Sequence, residues 1–121
     1  MMTYIVDTFA WVAYFEGNKK FKLEIEQSLL QTPSIVLAEM AKVMIRKEFS
    51  EKKSEEILKY ICESSIILEL NKEQAIKGGK TAAKEKLPLV DGIIYSYVAE
   101  GEQLLTGDKH FENKPLAKYI K

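Results

Sequence analysis

Strand-like runs alternate with helical segments along this chain, and no hairpin signal joins two of them. Parallel neighbours need crossover connections, whereas antiparallel ones can be closed by a two-residue turn. The alternation therefore predicts an α/β domain with a mostly parallel sheet. With 121 residues the chain has room for one compact domain spanning 1–121, with a real core, and no internal repeat or linker divides it.

The first strand is predicted over Thr3 to Val6, stopped by Asp7-Thr8, a pair suited to capping the helix from Phe9 to Phe15. Gly17-Asn18 ends that helix, and Phe21, Ile25 and Leu29 set a helical period from Phe21 to Leu30. Thr32-Pro33-Ser34 breaks the chain before a helix from about Ile35 to Lys47. That helix is so apolar that burial on nearly all sides is expected. Ser50 or Ser54 caps the next helix, whose core positions are Ile57, Leu58, Ile61 and Cys62. A second strand is expected over Ser65 to Leu70, with Asn71 capping a helix that contains Gly78-Gly79. Those glycines weaken the helix, bend it, or admit another backbone. Pro88 then opens a helix to about Glu100, closed by Gly101. Gln103 to Thr106 reads as a third strand, and Pro115 to Ile120 as a short edge strand or a frayed tail.

Lysine plus arginine and aspartate plus glutamate both number 18, so net charge neither argues for a nucleic-acid partner nor excludes one. The single cysteine, Cys62, forbids a disulfide framework within the chain and a cysteine-based zinc site. At helical core spacing it reads as a small core residue. No signal peptide and no apolar segment of membrane-crossing length is visible, so a cytoplasmic protein without a membrane partner is expected.

Against this background four acids stand out because each follows or interrupts an apolar run: Asp7, Glu39, Asp91 and Asp108. A buried, unpaired carboxylate costs several kcal/mol, so such a group protonates, meets a cation or holds a metal. Asp7 and Asp108 follow strands and emerge at the rim where α/β sheets bind ligands. Asp91 shares a helix face with Ile94, Tyr95 and Val98, and Glu39 lies early in an apolar helix. Each has an ordinary alternative: Asp7 as a cap, Asp91 in a first helical turn, Glu39 paired with Lys42, Arg46 or Lys47, and Asp108 in an Asx-type turn. One hard-cation site explains all four. Carboxylates alone suit Mg²⁺ or Mn²⁺, and a lone histidine, His110, builds no zinc site. His110 reads as a surface residue with reach to a phosphate.

Four segments together resemble the PIN-domain nucleases, specifically the VapC-like toxins of VapBC toxin–antitoxin pairs. They are Ile5-Val6-Asp7-Thr8, Pro33 through Glu39-Met40, Leu87-Pro88-Leu89-Val90-Asp91 with Ile93-Ile94, and Leu105-Thr106-Gly107-Asp108-Lys109-His110-Phe111. The resemblance spans essentially the whole chain. It implies a PIN-like three-layer α/β/α domain and Mg²⁺- or Mn²⁺-dependent hydrolysis of RNA. It makes Asp7, Glu39, Asp91 and Asp108 the catalytic, metal-holding acids, with Thr8 and Thr106 as supporting hydroxyls. It further implies a homodimer and a cognate VapB-like antitoxin. Two other readings stay open, an RNA-processing nuclease without an antitoxin and a non-cutting RNA- or protein-binding module. Gly92 departs from the alanine or other small residue common after this aspartate. The aromatic group Phe9, Trp11, Tyr14 and Phe15 reads as core or dimer interface, with base stacking as the alternative, and Lys42, Lys109 and Lys114 as solvated side chains or phosphate contacts.

Overall fold

A computed structural model describes residues 1–121. The chain runs β1 (Thr3–Val6), α1 (Thr8–Phe15), α2 (Lys19–Glu26), β2 (Leu29–Pro33), α3 (Ser34–Arg46), α4 (Glu51–Ser64), β3 (Ile66–Leu68), α5 (Lys72–Glu85), α6 (Leu89–Tyr95), β4 (Gln103–Thr106), a 3-10 turn (Lys109–Phe111) and β5 (Ala117–Tyr119). The five strands form one sheet in the order β3-β2-β1-β4-β5, and every pairing is parallel. Strand order reverses between β1, the middle strand, and β4 beside it. Ile5, Val6, Leu104 and Leu105 on them have no exposed surface, the burial expected of strands covered on both faces. No helix is long and apolar enough to cross a membrane.

Asp7, Asn18, Ser50 and Asn71 each cap a helix by accepting hydrogen bonds from first-turn amides, so the helix starts follow from polar residues at strand ends and turns. The C-terminal stretch resolves into the edge strand β5, whose Ala117 and Tyr119 register with Leu104 and Thr106.

The structure corrects four sequence expectations. Leu29 and Leu30 belong to β2 and not to the preceding helix, so Gln103 to Thr106 is the fourth strand. The two leucines fit both periods. Pairing along β1, from Thr3 with Leu29 to Ile5 with Gln31, decides for strand, because it satisfies the backbone of a central strand and buries Leu30 while leaving Leu29 out. Helix α3 buries one face only, through Val36, Met40 and Met44, and Ile45 is 78% exposed. It lies on an outer layer, where only one stripe can meet the sheet. Helix α6 stops at Tyr95, not near Glu100: the Ser96 hydroxyl donates to the Ile93 carbonyl at 2.6 Å, and Tyr97 and Val98 amides close tighter i→i−3 bonds. Cys62 is exposed, one position beyond the stripe that Ile57 and Ile61 turn inward.

The glycines of α5 and α6 admit a close helix crossing. A Cβ on Gly78 would lie 2.8 Å from the Ile93 Cα, and one on Gly92 would lie 2.5 Å from the Ala82 Cα. Gly92 is thus glycine because Ala82 occupies the space a methyl would take. Gly92→Ala is expected to destabilise the protein by about 1–3 kcal/mol through overpacking. Gly79→Ala, which meets nothing within 4 Å, is expected to stabilise it by roughly 0.5–1 kcal/mol. Chemical denaturation of the two variants checks the contrast, and equal stabilities would remove the packing argument.

Candidate active site

Asp7 leaves the C-terminal end of β1 and caps α1, its Oδ1 accepting the Ala10 amide at 2.8 Å. Its Oδ2 accepts the hydroxyl of Thr106, at the end of the neighbouring β4. The same Thr106 oxygen accepts the Asp108 amide at 3.0 Å, tying the β4 exit loop to the end of β1. Asp7 is 4% exposed. Loss of hydration raises its pKa to about 7, against the pull of the Thr106 and Ala10 hydrogen bonds and with help from the nearby Asp108 and Asp91 charges.

Glu39 reaches the same region from α3, accepting the Thr8 hydroxyl at 2.6 Å. It pairs with none of Lys42, Arg46 and Lys47; Lys47 instead meets Glu16 at 3.0 Å. Asp91 sits in the first turn of α6, its Oδ2 2.8 Å from His110 Nδ1. Burial raises the Asp91 pKa first and the Asp108 charge next; the His110 contact opposes both, and Glu39 adds to the rise. Asp108 Oδ1 accepts the His110 amide at 2.9 Å and lies 3.2 Å from His110 Nδ1.

The four acids come from four separate segments and line one open cleft of about 650 Å³. No lysine or arginine is within ion-pair distance of any of them. Oxygen donors of this kind fit a hard divalent cation, and the Asp7 and Asp91 pKa values, raised first by burial and further by neighbouring carboxylates, mark charge that a cation would relieve. Thr8 and Thr106 each hydrogen-bond one acid. Further along the cleft lie Arg46 and Lys47, which supply positive charge away from the acids.

His110 is the neighbour of these acids that the sequence underrates. It is exposed as expected, but its ring nitrogen faces two acids. Asp108, Lys109 and His110 form a tight turn, and the two-residue spacing was the only signal for that approach. Of the aromatic group, Trp11 is fully buried with Nε1 donating to Thr32, and only Phe9, 48% exposed, lines the cleft. Tyr14 and Phe15 pack with Tyr60. Lys114 is held by the Glu85 carbonyl at 2.6 Å.

The family profile described as PIN domain matches residues 4–116. No curated protein matches the chain. Similar solved structures include a toxin–antitoxin complex from Klebsiella pneumoniae, at 22% identity and TM-score 0.71, with 94% of each chain covered. Another is VapBC2 from Rickettsia felis bound to a DNA fragment from their promoter, at 21% identity and TM-score 0.70, with 98% of each covered. A third is DNA-bound VapBC from Salmonella typhimurium, at 18% identity and TM-score 0.64, covering 99% of this chain and 98% of that one. These likenesses are of fold.

Proposed function

This chain belongs to the PIN domain family, and from that premise we propose that it is a Mg²⁺- or Mn²⁺-dependent endoribonuclease, the toxin of a type II toxin–antitoxin pair. The observation that carries the reading is the gathering of Asp7, Glu39, Asp91 and Asp108 in one cleft with no lysine or arginine to neutralise them. Those four acids would hold the metal. A bound divalent ion supplies acidification of water and neutralisation of charge on a phosphodiester.

The chain's own residues prepare the site. Thr106 and the Ala10 amide fix both oxygens of Asp7, so its carboxylate has one orientation when a cation arrives. Thr8 does the same for Glu39 through one oxygen. Preorientation of this kind removes reorganisation from the reaction step. Arg46, with Lys47 paired to Glu16 next to it, offers the RNA backbone positive charge further along the cleft, and Phe9 at the cleft wall offers a face for a base.

RNA as substrate, a cognate VapB-like antitoxin, a homodimer and a cytoplasmic setting belong to the same proposal. The antitoxin is supported by the toxin–antitoxin complexes among the similar structures. The purified protein is expected to cut single-stranded RNA with Mg²⁺ or Mn²⁺ present and to stop when EDTA is added, recovering on readdition of the ion. Gel analysis of an end-labelled RNA checks this, and cleavage that persists in EDTA contradicts it.

A further inference from the structure

His110 is the only histidine in the chain, and its Nδ1 lies 2.8 Å from Asp91 Oδ2 and 3.2 Å from Asp108 Oδ1. One ring nitrogen carries at most one proton, which can point fully at only one of two oxygens. That proton serves one oxygen, and the Asp108 oxygen is held near the ring by accepting the His110 backbone amide at 2.9 Å. A cation shared by the three groups would also bring these atoms to such distances. Ligands bound at about 2.0–2.2 Å and at right angles to one another are about 2.8–3.1 Å apart. Donor atoms of Asp91, Asp108 and His110 all lie within 4.8 Å of one another.

The placement is fixed by packing. Phe111, next in sequence, is fully buried and packs on Tyr95 with ring centroids 5.8 Å apart. Tyr95 lies one helical turn after Asp91 on α6. The Tyr95 hydroxyl also accepts the Leu116 amide at 3.1 Å, so α6 is clamped to the segment that follows His110. The Asp108 carboxylate holds the His110 backbone amide. Aspartate and histidine are thus presented to each other by two elements locked through the core.

We propose that His110 Nδ1 is a ligand of the divalent ion, joining Asp91 and Asp108 and biasing the site toward Mn²⁺ over Mg²⁺. The proposal rests on the reading of the cleft as a metal site. Its chemical basis is ligand softness: Mg²⁺ holds oxygen donors and water tightly, whereas a transition ion accepts imidazole readily. Carboxylates alone, without the imidazole, would leave the site to Mg²⁺ chemistry.

The test uses the full chain loaded with Mn²⁺, with histidine at natural abundance or labelled with ¹⁵N. Pulsed electron paramagnetic resonance is expected to show the coupling of a directly bound ¹⁴N, to change to the ¹⁵N pattern on labelling, and to lose it in His110→Gln. The side chain is largely exposed, so the variant should melt like the wild type. Calorimetric titration of both proteins should show Mn²⁺ affinity falling at least about tenfold in the variant, with Mg²⁺ affinity changing by less than about threefold. Mn²⁺ bound with no nitrogen coupling, or equal losses for the two ions, overturns the role of His110 and leaves the acidic metal site standing. Failure of the wild-type protein to bind either ion overturns both.

Discussion

Asp91→Asn is expected to lower RNA cleavage on the order of a thousandfold while leaving the fold in place. The substitution keeps volume and removes one negative charge. Asparagine can still accept from His110 through its carbonyl, so the contact between α6 and the 3-10 turn survives. What is lost is a carboxylate in the first turn of α6, at the wall of the acidic cleft. Single-turnover cleavage of a labelled RNA at saturating Mg²⁺, with a thermal melt as control, measures the effect. A rate within a few fold of wild type would remove Asp91 from the metal-holding set. Collapse of the melt would show that the residue serves the fold.

The second large effect is on stability. The Asp7 carboxyl titrates near pH 7 in the folded chain, against 3.8 for the ordinary side chain. The folded state therefore keeps a proton that the unfolded state has released, across the interval between those values. Stability from this group is full below the lower value and is lost as pH rises through the upper one. Between about pH 5.5 and about pH 8 the loss from Asp7 is on the order of 2 kcal/mol. Asp91 shifts in the same direction. The metal-free protein should accordingly melt about 5–10 °C lower at the alkaline end of that window. Asp7→Asn should flatten the dependence, because its neutral amide has no proton to lose. Mg²⁺ or Mn²⁺ should raise the melting temperature at about pH 8 and do little at about pH 5.5, where the carboxyl proton competes with the ion. Thermal melts in EDTA and in metal, at both pH values, decide the matter. A melting temperature indifferent to pH would show that Asp7 is ionised throughout.

The two effects come from one arrangement, and much of it was legible in the residues. Asp7 was readable because a strand-forming run stops on it and a helix begins after it, two local signals at one residue. Asp108 was placed by the same strand-end logic. The parallel sheet followed from the alternation of elements and the lack of hairpin turns. Local patterns failed where two periods coincide, as at Leu29-Leu30, which only pairing with β1 assigns to a strand. They failed again at Ser96, whose hydroxyl competes for a helix carbonyl, and at α3, whose apolar surplus has no second layer to enter. The need for Gly92 comes from Ala82 on another helix, and no property of its own segment announces that. His110 is the clearest case. Its sequence neighbourhood identifies a polar turn, while its contact with Asp91 depends on how Phe111 and Tyr95 meet in the core.

The most direct measurement is the anomalous difference map of a crystal of the wild-type protein grown with Mn²⁺. A strong peak is expected in the cleft, within coordinating distance of carboxylate oxygens drawn from Asp7, Glu39, Asp91 and Asp108. A fully diffracting crystal with no peak there, or with Mn²⁺ held only elsewhere on the surface, would contradict the reading of the cleft as a metal site.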